Sequence, residues 1–206
     1  MSGEVTVRWG SLDGQPLDRF VPLLTREERA RAESFKFARD RSRFIAARGL
    51  LRTLLAQRLG LDPPRVEFAY GEHGKPRLAG DGGLRFNLSH SDGLMAIALC
   101  EDREVGIDIE AQRAGRSIDG ISRRYLPPAL AEEIERASGA ERDRAFYRAW
   151  VRQEAYAKAC GAGLEVIGEP PDPERWSIAD LDLAEGFSAA VAVEGATPGE
   201  VITTPI

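Results

Sequence analysis

The run Leu94-Met95-Ala96-Ile97-Ala98-Leu99 carries six apolar residues without a break, and a second pattern, Val105-Gly106-Ile107-Asp108-Ile109-Glu110, begins shortly after it. A short continuous apolar run reads as a strand buried on both faces, and alternation reads as a strand with two unlike faces. With a third run from Leu84, the three follow so closely that an antiparallel meander is expected. In the alternating strand Val105, Ile107 and Ile109 share one face and Asp108 and Glu110 the other. Two carboxylates about 6–7 Å apart along a strand can bind one hard cation. Just upstream stands a polar cluster, Asn87-Leu88-Ser89-His90.

The rest of the chain supplies helices around these strands. Val5 to Trp9 alternates and opens the fold as a strand. Thr25-Arg26-Glu27-Glu28 has capping-box form, so a helix is expected from Arg26 to about Ser34. A longer one follows Asp40, with Phe44, Ala47, Leu51, Leu54, Leu55 and Leu59 at helical spacing and Gly60 as its stop. Further helices are expected near Ile118–Tyr125, at Pro128–Ala137 and from Glu141 to Cys160, with Gly139 as a breaker. Strands at 66–70, 175–181 and 187–193 complete the order, and the tail from Gly195 reads as loosely ordered. Helices then strands, twice over, point to two similar α+β halves, taken as residues 1–110 and 111–206.

Charge narrows the partners. The net charge of -5 argues against nucleic acid. Residues 1–100 carry 16 Lys and Arg against 12 Asp and Glu, and the remainder 12 against 21. Nine basic and four acidic side chains fall within residues 26–52. Arg31, Arg39, Arg43, Arg48 and Arg52 offer forked donors suited to phosphate, although each alone reads as a surface arginine. No apolar run reaches the ~20 residues that span a bilayer, and the N-terminus lacks the layout of a signal peptide. Two cysteines without metal-ligand spacing fit a reduced, cytoplasmic protein.

Three further features carry chemistry. In Gly74-Lys75-Pro76, Pro76 fixes the backbone, Gly74 lets it approach a ligand, and Lys75 can neutralise a phosphate; a plain hairpin turn is the bland reading. His90 can bond a phosphate, act as a base or cap the backbone. It is no triad partner of Ser89, because strand neighbours point to opposite faces. Trp150, Glu154 and Lys158 lie on one helix face at i, i+4 and i+8, which is equally the pattern of a packed tryptophan beside a surface ion pair.

Taken in order, Gly74-Lys75-Pro76, Phe86-Asn87-Leu88-Ser89-His90-Ser91, Val105 to Glu110 and Trp150 to Gly161 with Gly163-Leu164 resemble the Sfp-type 4'-phosphopantetheinyl transferases. The resemblance spans roughly Arg26 to Val193. It implies a pseudo-twofold fold of two α+β halves with coenzyme A between them. The implied activity moves the phosphopantetheine arm of coenzyme A to a serine of an acyl or peptidyl carrier protein. It further implies Mg²⁺, or alternatively Mn²⁺, held by Asp108, Glu110 and Glu154. Lys75, His90, Ser89, Arg31 and Arg43 would then stand on the phosphate side of coenzyme A with the Gly74–Pro76 turn. Lys158 would reach the pyrophosphate, with Glu154 and Lys158 as the catalytic pair. Two fused halves imply a monomer.

One departure stands out: the family commonly has Lys where this chain has Gln153. That substitution is expected to remove a positive charge near the phosphates, with Arg152 as a neighbouring substitute, and to weaken coenzyme A binding. It is also the one feature that favours a different reading, a catalytically weakened coenzyme A-binding regulator or scaffold. A nucleotide hydrolase is disfavoured by the absence of a Gly-x-x-x-x-Gly-Lys-Ser/Thr loop.

Overall fold

The buried positions of two 22-residue helices organise the chain. A computed structural model describes residues 3–80, 82–113, 118–166 and 168–206. In chain order it comprises β1 (Val5–Ser11), α1 (Leu17–Phe20), α2 (Arg26–Glu33), α3 (Ala38–Leu59), β2 (Phe68–Tyr70), β3 (Pro76–Leu78), β4 (Leu84–Ser91), β5 (Leu94–Glu101) and β6 (Val105–Ala111). Then follow α4 (Ile118–Tyr125), α5 (Pro128–Arg136), α6 (Gly139–Cys160), β7 (Trp176–Leu181), β8 (Phe187–Glu194) and β9 (Val201–Pro205). The loop expected over 111–117 lies partly outside the described residues.

Helix α3 buries Ile45, Leu51, Leu54 and Leu55 and, between 45 and 56, most of its circumference, and it stops at Gly60, which adopts φ 65°. There a left-handed residue is strained unless it is glycine. Helix α6 ends the same way at Gly161, φ 68°. Helix α5 ends at Arg136, just before Gly139 as expected, and Gly139, at φ 56°, is the first residue of α6 after the N-cap Ser138.

Two sheets carry the fold, in the orders β4-β5-β1-β9 and β7-β8-β6. The equivalence is topological: β1 pairs antiparallel with β5 and β6 with β8, and the other antiparallel partners of β5 and β8 are β4 and β7. The two α+β halves therefore repeat. The expected meander holds only for β4 and β5. Strand β6, which the sequence groups with the first half, pairs with β8 in the second sheet. The tail is a strand too: β9 runs parallel to β1. Arg103 fixes the approach to it by donating to the carbonyls of Gly3, Glu194, Thr197 and Pro198.

Packing is layered. Helix α3 covers Phe86, Met95, Ile97 and Leu99 on one face of the first sheet. The opposite face, through Val5, Val7, Ala96 and Ala98, meets Ile107, Ile109, Val191 and Val193 of the second sheet. Helix α6 covers the far side of that sheet through Val151, Ala155 and Ala159 against Ala190 and Ala192. Trp150 is packing, stacked on Phe146 with ring centroids 6.2 Å apart.

Candidate active site

The site lies where β4 and β6, an edge strand from each sheet, run side by side. Side chains of β4 replace the missing backbone ladder. Asn87 Oδ1 accepts from the Ile107 amide at 3.0 Å, and Ser91 Oγ accepts from the Ala111 amide at 3.1 Å. Ser91 also donates to Glu110 at 2.9 Å, and Ser89 donates to Asp108 Oδ1 at 2.7 Å. Asn87 and Ser91 stand in a motif read from the sequence, but they were not named there as site residues. The signal was there: Asn87, Ser89 and Ser91 alternate, so they share one strand face.

Gly106 brings the second half of the site into place. A Cβ there would stand 2.1 Å from the Ala155 carbonyl oxygen and 2.3 Å from the Ala159 nitrogen. Only glycine lets α6 cross β6 this closely. As a result Lys158 Nζ reaches Asp108 Oδ1 at 2.5 Å and Ser89 Oγ at 3.1 Å. Asp108 is 4% exposed, and its second oxygen, Oδ2, is buried with no hydrogen-bond partner. A buried carboxylate oxygen without a donor is expensive unless a cation or donor completes it.

Glu154 faces the same cluster. Burial pushes its carboxyl above the usual range; the Lys158 ammonium opposes that, while the Asp108 and Glu110 carboxylates reinforce it. Among the described residues no three such side chains are gathered into a ready-made metal cage. Lys158 already occupies Asp108 Oδ1, and Ser91 holds Glu110. His90 points to the other side of β4. Partial desolvation lowers its pKa, as do the positive fields of Lys158 and Arg43, so its imidazole is neutral near pH 7.

A cleft of 270 Å³ is lined by His73, Gly74, Lys75, Pro76, Glu154 and Lys158. Ser89, Asp108, Glu110, Glu154 and Lys158 are thus brought together, with the Gly74–Pro76 turn beside them.

The arginines are placed differently. Arg48 and Arg52 are not open phosphate donors, because both bind Glu28, at 2.7 and 2.8 Å. Arg39 pairs with Asp40 and Arg43 with Asp13, and Arg31 lies over the Phe44 ring, 5.6 Å from its centroid. Arg152 binds Asp180 on the outer side of α6 and is no substitute in the site. Gln153 also points away from it: 4% exposed, it donates to the carbonyls of Val166 and Glu169 at 2.9 and 3.1 Å. The expected loss of a phosphate-facing charge is therefore corrected; position 153 braces the loop after α6.

Comparison with known proteins points to one family. The family model described as the 4'-phosphopantetheinyl transferase superfamily matches residues 104–190, and the one described as 4'-phosphopantetheinyl transferase, N-terminal, matches 8–102. The chain is 36% identical to the 4'-phosphopantetheinyl transferase HetI of Nostoc sp., over 87% of this chain and 82% of that protein. It is 34% identical to AcpT of Salmonella typhimurium, over 80% and 81%. Identity to Sfp of Bacillus subtilis is 27%, over 72% of this chain and 65% of the relative. The chain belongs to the 4'-phosphopantetheinyl transferase family and is an enzyme of that transferase class.

Proposed function

We propose that the protein transfers the 4'-phosphopantetheine arm of coenzyme A to a serine of an acyl or peptidyl carrier protein, with Mg²⁺, releasing adenosine 3',5'-bisphosphate. The observation that carries this reading is the buried Asp108 held by Lys158 and Ser89, with Oδ2 unpartnered and Glu154 opposite.

The donor set fits a hard cation. The candidate ligands are all carboxylates, the orphaned Asp108 Oδ2 is a vacant acceptor, and the mutual repulsion felt by Glu154 is what a divalent ion would relieve. Asp108, Glu110 and Glu154 would hold Mg²⁺, which when bound supplies Lewis-acid polarisation of the pyrophosphate. The chain's own groups do the rest. Glu154 takes the proton of the carrier serine directly or through a water. The serine oxygen attacks phosphorus, and the bond to the bisphosphate leaving group breaks. Lys158 offsets the charge on that leaving group. The backbone of the Gly74–Pro76 turn, Ser89, His90, Arg31 and Arg43 would stand on the nucleotide side of coenzyme A. Both halves contribute to one site within one chain, which supports a monomer.

The test is intact-mass analysis of an apo carrier protein incubated with the enzyme, coenzyme A and Mg²⁺. The expected result is a gain of one phosphopantetheine arm that disappears with EDTA. No gain across acyl, aryl and peptidyl carriers overturns the reading.

A further inference from the structure

The Lys75 ammonium faces α6. Its Nζ donates to Glu104 Oε2 at 2.6 Å and to the Ala159 carbonyl at 2.8 Å. Ala159 lies in the last turn of α6, where carbonyls lack helical partners and the helix dipole favours a cation. The same loop leans on the end of this helix at two more points. A Cβ at Gly161 would stand 3.4 Å from Lys75 Cδ, and one at Gly163 would stand 3.4 Å from the His73 ring. Glu104 is itself fixed, because Arg85 donates to its other oxygen at 3.1 Å.

The chain Arg85–Glu104–Lys75–Ala159 therefore links the β2–β3 hairpin of the first half to the helix carrying Glu154 and Lys158. Residues of the hairpin turn and of that helix together line the 270 Å³ cleft. Lys75 is only 17% exposed, and Glu104 neutralises its charge at contact distance. An ammonium so paired adds little net positive field to the cleft.

We propose that Lys75 is a positioning residue: together with Glu104 it clamps the hairpin onto the C-terminal turn of α6 and sets the placement of Glu154 and Lys158. The proposal rests on the transferase reading for its kinetic effect, and on geometry alone for the clamp. A small misplacement of catalytic groups costs rate more than ground-state binding. Glu104, an anion on the clamp, is the discriminating partner, since it cannot itself bind a phosphate.

The experiment compares Lys75→Met, Glu104→Gln, the double variant and Lys75→Arg. Each single variant is expected to lower kcat about tenfold, with KM for coenzyme A within about threefold of the parent. The double should be no worse than either single, as for two members of one contact. Lys75→Arg, which can still span both acceptors, should recover most of kcat. Hydrogen exchange supplies a readout independent of activity. The amides of residues 71–76 and 159–163 should lose protection equally in both single variants, with no further loss in the double.

A large rise in KM for coenzyme A in Lys75→Met, with Glu104→Gln neutral or tighter, would overturn the clamp and make Lys75 a phosphate ligand. Unchanged exchange in both variants overturns it as well. A parent protein without transfer activity would sink the transferase reading while leaving the exchange result to judge the clamp.

Discussion

Lys158 and Asp108, 50 positions apart, meet at 2.5 Å, and they meet on only one of the two Asp108 oxygens. The ammonium and Ser89 both bond Oδ1, and Oδ2 is left buried and without a partner. The pair holds the carboxylate in one orientation with a vacant acceptor. Replacing Asp108 with Asn keeps the shape and the Oδ1 contacts but removes the charge that holds a cation. Asp108→Asn should keep a native circular dichroism spectrum and lose transfer about 100-fold or more. Saturation with Mg²⁺ should require higher concentrations. A variant that transfers at the parental rate would remove Asp108 from the metal site.

Gly106 is the steric condition for that pair. Any Cβ at this position would overlap the backbone of α6 at Ala155 and Ala159, which cannot yield like a flexible side chain. Gly106→Ala should destabilise the protein by about 1–3 kcal/mol, read from urea denaturation, and lower kcat as α6 is pushed outward. The same substitution at Gly120, where a Cβ would meet nothing within 4 Å, serves as the control for an added methyl group without a clash.

These relationships bear on what was legible in the chain. Periodicity gave the faces of β6: Ile107 and Ile109 against the other sheet, Asp108 and Glu110 away from them. The capping box gave the start of α2, and Gly60 announced the end of α3. What stayed hidden depends on partners distant in sequence. Glu28 draws in Arg48 and Arg52 from 20 and 24 residues away, so a cluster that reads as open to phosphate is largely spent inside the protein. Strand β9 has few apolar residues and gains its order by pairing with β1, to which no local pattern points. The direction of Gln153 was lost because helical neighbours diverge by ~100°: Glu154 faces the cleft while Gln153 faces the loop behind it.

That direction reverses an expectation about coenzyme A. Because the Gln153 amide serves the Val166 and Glu169 carbonyls, a lysine there would enter the same polar niche and add no charge to the cleft. Gln153→Lys should leave KM for coenzyme A within about twofold of the parent. Gln153→Ala, which strands two carbonyls, should lower stability by about 1–3 kcal/mol in chemical denaturation. A marked fall in KM for the lysine variant would restore the charge argument and, with it, the weakened-binder reading.

The last prediction concerns acid. Glu28 is only 8% exposed and closes a capping box with Thr25 while accepting from both Arg48 and Arg52. Burial acts to raise its carboxyl, but the Arg52 hydrogen bonds, the Thr25 amide and the two guanidinium charges outweigh it, and the net direction is down. A carboxyl depressed in the folded state binds its proton more readily when unfolded. Its contribution to stability is therefore fully present above the ordinary carboxylate range and is lost as the pH falls through the depressed value. Glu28→Gln removes this dependence and leaves the 1% exposed Arg52 without its counter-charge. Breaking a buried pair in this way costs about 3–5 kcal/mol near neutrality. Partial solvent access at Glu28 and Arg48 places the expectation at the lower end of that range. Denaturation midpoints for parent and variant, taken from about pH 7 down to about pH 3, should converge as the acid limit is approached. A gap that stays constant over that range would show that the Glu28 charge does not contribute.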